Sequence, residues 1–230
     1  MTILEKTEAN RRKVLGGMAG ASVFALTGCE GFGGFSFIDA IRQLLFLSSS
    51  RAFARLTNDG GYWDEGIGLL GLDDMLGSRG NVLAGILTST LLKDRLDDAF
   101  IDIAEDASDR AAPIVADVVR TIGIQNAVAL VQGGPTAATG FLRGNMGDTL
   151  VNAMVPEVGQ AMRIAQEPLI GQILNELTGV DVARVTNDFS GKVDDAIWQE
   201  IGVEEAAIRR DPGSTGDPLL MGVFAGANLL

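Results

Sequence analysis

The segment Gly133-Gly134-Pro135-Thr136-Ala137-Ala138-Thr139, with Arg143 one helical turn further on, places donors where an anion could sit. The first N–H groups of a helix lack intrahelical partners and carry positive potential. Thr136 and Thr139 add two hydroxyls and Arg143 a guanidinium. The same residues suit a purely structural joint. Glycine ends one helix, Pro135 opens the next, and small alanines let helices approach closely. Every helix start needs a cap, so the joint is the favoured reading of Gly133, Gly134, Thr136, Thr139 and Arg143. Gly134 is expected to need a positive φ or a close backbone neighbour. A second set of candidates is acidic. Asp102 and Glu105, with Asp106 and Asp109, offer carboxylates for general acid–base work, as in glycoside cleavage. Such pairs face each other across a bond, whereas this spacing lays them along one solvated helix face.

Other chemistry is excluded by composition. The chain has no histidine and one cysteine. Ser-His-Asp triads, Cys-His dyads, histidine-based zinc sites and internal disulfides are therefore ruled out. No loop alternates oxygen ligands in the manner of an EF-hand, and no Walker or dinucleotide glycine pattern follows a strand. No catalytic residue, cofactor or metal is assigned. The net charge is −12, and the first 28 residues contribute four basic against two acidic side chains, so the remainder is more acidic by two charges. That surface repels phosphate backbones, and nucleic acid is not an expected partner.

The lone cysteine has its own context. Arg11-Arg12 form a basic pair ahead of the short, glycine-diluted apolar stretch Gly16–Ala25, and Leu26-Thr27-Gly28-Cys29 reads as a lipobox. Residues 1–28 are thus expected to be a twin-arginine export signal, with Cys29 lipidated after cleavage. Residues 29–36 form a glycine-rich tether that reaches roughly 25 Å when extended. The protein is expected on the periplasmic side of a bacterial envelope, held to the membrane by its lipid. Glu30 after the cysteine favours the outer membrane over the inner.

Residues 37–230 must position any site. Nearly half the chain is apolar, with 30 glycines and only six prolines, which suits one packed domain. The strongest periodicity runs from Leu96 through Phe100, Ile103, Ala104, Ala107, Ala111, Val115 and Val119 to Ile122, and predicts a long helix kinked or divided by Pro113 near Asp109. Phe37–Leu47 predicts a first helix, which Ser48–Leu56 continues or follows with a second. Asn81–Leu92 and Leu169–Leu177 read as further helices. Ile124, Val128 and Val131, then the stripe from Phe141 to Met154, predict a helical hairpin jointed at Gly133-Gly134. Asp181–Asn187 reads as a short helix or turn. Phe189–Arg210 predicts a long helix marked by Val193, Ile197, Ile201, Val203 and Ile208, and Leu219–Leu230 a tail packed back on the domain. No alternating strand pattern occurs. The expected fold is all-α, a single multi-helix domain built from packed helical hairpins. Tyr62 and Trp63, beside Gly60-Gly61, read as a lid on the core.

Ala104-Glu105 with Ala111–Val115, then Asn126–Gly134, Thr136-Ala137-Ala138-Thr139, Lys192–Ile197 and Ile208–Pro212 together resemble a bacterial family, domain of unknown function four-one-nine-seven. The resemblance covers most of residues 40–225, and the GGxTAAT segment is its most specific part. It implies an exported, mainly helical protein and supplies no reaction. This chain departs from the family pattern at Ile101-Asp102, where an Asn-Arg pair is usual, and at Asp59-Gly60-Gly61-Tyr62, where Asp-Gly-Phe is common. The reading that unites these signals is a non-enzymatic binding or scaffolding module of the envelope, with an envelope protein or small apolar ligand as partner. The competing reading is a carboxylate-dependent hydrolase of envelope glycans or lipids.

Overall fold

The computed structural model describes residues 36–58, 60–66, 90–164 and 182–227. The export signal with Arg11 and Arg12, the lipid site Cys29, the tether up to residue 35, the stretch 67–80, nearly all of the helix expected over 81–92 and the helix expected over 169–177 lie outside those residues. Among the described residues every regular element is helical.

Helix α1 spans Phe37–Leu56, with Ser36 accepting from Asp39 N as its cap. The Ser48–Leu56 stretch therefore continues the first helix. Ser48 and Ser49 are buried within it, and both turn their hydroxyls onto the Leu45 carbonyl, which removes the cost of burying them. A short α2, Tyr62–Gly66, follows the Gly60-Gly61 turn. Gly61 has no alternative there, because a Cβ would collide with the carbonyl oxygens of Arg55 and Asn58. Trp63 is fully buried, stacks edge-on with Tyr62, and donates from Nε1 to Ser108 Oγ at 3.2 Å.

Helix α3, Thr90–Thr121, runs through Pro113 as one helix rather than two. Pro113 is exposed, and its missing N–H leaves only the Asp109 carbonyl without its usual partner, on the solvent side. The predicted face is the buried one: Phe100, Ala104, Ala107, Ala111, Val115 and Val119 all lie in the core. Short α4 is Ala127–Val131, α5 is Ala137–Met146 and α6 is Thr149–Ile164. The stripe expected from Phe141 to Met154 is thus cut at Gly147, whose φ of +52° favours glycine, although Leu142, Met146, Leu150 and Met154 still share the core. Val128 faces solvent, against expectation, while Ile124 and Val131 are buried.

Helix α7, Val182–Arg210, merges the expected short element with the long one. A 3₁₀ turn at Pro212–Thr215 and α8, Pro218–Ala227, complete the described chain. The four long helices close a ring: α1 packs on α7, α7 on α6, α6 on α3, and α3 on α1. Phe189, Ile197 and Ile201 of α7 and Ile41, Leu44 and Leu45 of α1 are fully buried in its interior. The tail helix α8 packs back on α1 and α4. Val203, expected in the core, is exposed. None of the described helices is long and apolar enough to cross a membrane.

Candidate functional site

At the N-terminus of α5 the anion position is filled by the chain itself. Glu205 of α7 is fully buried, and its carboxylate accepts from Ala138 N at 3.0 Å, Thr139 N at 2.6 Å and the Thr139 hydroxyl at 2.6 Å. This is the phosphate-type geometry of a helix start with an internal ligand. The buried negative charge is matched one turn on, where Arg209 Nε donates to Glu205 Oε1 at 2.7 Å. The remaining donors of Arg209 reach Val131 O at 3.1 Å and Leu130 O at 2.9 Å, the open carbonyls at the end of α4. Arg209 also lies over the Phe224 ring of α8, 4.9 Å from its centroid. One i,i+4 pair on α7 thereby caps the end of one helix and the start of the next, on both sides of Gly133-Gly134.

Each residue of the predicted turn has a definite place. Thr136 is the N-cap residue, but its side chain makes no capping bond. Its methyl group instead meets the backbone of α7 at Gly202, where a Cβ would lie 3.2 Å away. Thr139 supplies the hydroxyl that binds Glu205. The tight position is Gly133, where a Cβ would stand 2.6 Å from the Ala137 methyl and 3.0 Å from the Ala129 carbonyl oxygen. Gly134, expected to be the constrained glycine, has no positive φ and open space around it. Arg143 turns away from the turn and bridges to α7, reaching Asp195 Oδ1 at 2.5 Å and Asp194 Oδ2 at 3.3 Å. Burial holds the Asp194 carboxyl above the ordinary aspartate value, while the Trp198 indole N–H at 2.9 Å and the Arg143 charge pull it back.

Asp102 and Glu105 sit three residues apart on α3, Asp102 exposed and Glu105 half-buried. They occupy one helix face and do not oppose each other across a cleft. No three carboxylates or cysteines among the described residues converge as metal ligands would.

A cleft of about 480 Å³ that no sequence motif marks lies at the C-terminal end of α1, bordered by Arg51, Arg55, Asn58, Gly60, Gly61 and Glu204. Arg51 and Arg55 are one turn apart on α1, as Glu200 and Glu204 are on α7. The helices set them as two successive rungs: Arg55 to Glu200 at 3.2 Å, Arg51 to Glu204 at 4.0 Å. The first rung is backed by burial. Glu200 is almost fully buried, and desolvation lifts its carboxyl above the ordinary glutamate value, with Arg55 opposing and Glu204 adding to the rise. Tyr62 beside it is pushed up by burial and by the Glu200 charge. The matched four-residue spacing of two arginines and two glutamates was visible in the sequence; the pairing of helices 150 residues apart in the chain was not.

The family described as Protein of unknown function (DUF4197) matches residues 33–225, which take in every described helix up to Ala225. No curated protein and no solved structure matches the chain. The match spans well over half of the sequence and includes the Gly133–Thr139 joint, the Glu205–Arg209 clamp and the Arg51–Glu204 cleft, so the chain belongs to the DUF4197 family.

Proposed function

We propose that this protein is a non-enzymatic helical binding and scaffolding module, held to the periplasmic face of a bacterial envelope by a lipid on Cys29. The observation that carries the non-enzymatic half is the occupied helix start. Glu205 takes the donors of Ala138 and Thr139, and Asp194 and Asp195 take Arg143, so these charges serve as clamps between helices. The anchoring half is supported by the Arg11-Arg12 pair and the Leu26–Cys29 lipobox. A hydrolase of envelope glycans or lipids would require two carboxylates facing across the scissile bond. The placement of Asp102 and Glu105 on one face of α3 does not favour it.

The test is fractionation of cells expressing the full chain and its Cys29→Ser form, with intact-mass measurement of both. The expected result is a membrane-bound, lipid-modified protein and a soluble or unprocessed variant. Identical membrane fractionation and unchanged lipid mass in the variant would falsify the anchor. Cross-linking in native membranes should then recover an envelope protein or a small ligand.

A further inference from the structure

We infer that the cleft between α1 and α7 is a binding site for a small zwitterion, a molecule of the amino-acid or short-peptide class carrying a carboxylate and an ammonium group. The inference rests on the binding-module reading and names a ligand class for it. Its basis is two opposite charges that border one cavity and leave each other largely unsatisfied. Arg51 presents five N–H donors. Among the described residues its contacts are a hydrogen bond to Ser214 O at the 3.5 Å limit and an ion pair to Glu204 at 4.0 Å. Among the described residues the Glu204 carboxylate has only that same distant pairing, although its side chain is 21% exposed and that of Arg51 36%. Half-buried charges gain much from short, charge-assisted bonds, and neither makes one here.

The surrounding residues keep the pair apart. Arg55 is drawn to Glu200 at 3.2 Å, which holds that rung closed and leaves the Arg51 rung open. The turn at Gly60-Gly61 forms the cleft's other rim, and Gly61 is fixed as glycine by the Arg55 and Asn58 carbonyls. The cleft, open to solvent, offers about 480 Å³, room for a group of amino-acid or dipeptide size. A ligand carboxylate satisfies the Arg51 guanidinium in bidentate fashion, and its ammonium group satisfies Glu204. A simple anion gains the first contact but faces the Glu204 charge. A simple cation gains the second but faces Arg51. Only a molecule bearing both groups meets complementary charge at both ends.

The test is calorimetric titration of the detergent-solubilised full chain with glycylglycine, acetate, methylammonium and inorganic phosphate as probes. Glycylglycine is expected to bind, with acetate and methylammonium weaker by about tenfold or more, the loss of one charge-assisted hydrogen bond. Arg51→Gln should weaken glycylglycine binding by about tenfold or more, and Glu204→Gln should remove the preference for glycylglycine over acetate. Circular dichroism of both variants establishes that they fold; both residues are partly exposed, so folding is expected. Absence of glycylglycine binding at millimolar concentration overturns the site. Phosphate or acetate binding as tightly as glycylglycine overturns the zwitterion class. Retained binding in a folded Arg51→Gln protein places the ligand elsewhere and also overturns it. Failure here leaves the Cys29 anchor untouched, whereas glycylglycine bound and cleaved would overturn the non-enzymatic reading while leaving the site in place.

Discussion

Glu205 shows how much of this domain depends on a single carboxylate. It is fully buried and accepts four hydrogen bonds from Ala138, Thr139 and Arg209. Removing one member of a buried charged pair strands the other without compensation. Glu205→Ala should therefore cost about 3–5 kcal/mol, read as a large drop in the denaturation midpoint. Thr136→Val, which keeps the methyl group against Gly202 and removes only the hydroxyl, should stay within about 0.5 kcal/mol of the parent, because that hydroxyl caps nothing. The glycines separate in the same assay. Gly133→Ala forces a methyl onto Ala137 and the Ala129 carbonyl and should cost about 1–3 kcal/mol, whereas Gly134→Ala meets open space and should be near neutral. Equal effects at the two glycines would sink this account of the joint. The sequence showed that the joint exists, since Gly-Gly-Pro between two apolar patterns has few other meanings. It did not show which glycine is confined, because that depends on the Ala137 methyl folding back over the turn. Nor could it show that the capping carboxylate comes from 66 residues further along the chain.

At the scale of elements, α1 and α7 form the principal contact, and their two charged rungs give it a pH dependence. Glu200 is held above its ordinary value of 4.5, first by burial and then by Glu204, with Arg55 opposing. The folded protein therefore keeps this proton to a higher pH than the unfolded chain does. Its contribution to stability is fully present below pH 4.5 and is lost as pH rises through the raised folded value. Asp194 contributes in the same direction from its own ordinary value of 3.8. Melting temperatures of Glu200→Gln, measured upward from pH 4.5, should fall less steeply with pH than those of the parent. A steeper fall in the variant would mean that the Arg55 pairing outweighs the burial of Glu200. Arg143 links α5 to α7 through Asp194 and Asp195, but its side chain is 45% exposed. Screening by solvent limits its loss to about 1 kcal/mol for Arg143→Ala. Such interhelix pairs were illegible beforehand because each residue taken alone looks like an ordinary solvated charge.

At the scale of the whole molecule, helix content and core composition were the readable part. The buried face of α3 is the one its periodicity named, and Val193, Ile197, Ile201 and Ile208 of α7 are all in the core. The errors came from places where local rules compete with packing. Pro113 was expected to kink or divide α3; its ring lies on the exposed side and the helix is not divided. Val128 and Val203 fit the helical spacing and yet face solvent, because spacing alone does not say which side of a helix meets a neighbour. The chain carries a net charge of −12, so its surface repels itself when folded. Against this stand exposed pairs such as Arg110–Glu157 and Arg184–Asp188, each worth about 0–1 kcal/mol and weakened by salt. The Glu205–Arg209 clamp is buried and should be little screened. Screening a large net charge acts on every acidic residue at once, whereas each exposed pair is individually weak. The melting temperature should therefore rise between low and physiological ionic strength, as sodium chloride screens repulsion over a Debye length of about 8 Å. A fall over the same range would mean that surface ion pairs outweigh the net charge. The Glu205→Ala protein supplies the internal control: its salt response should match the parent's, because the clamp it lacks is out of reach of the ions.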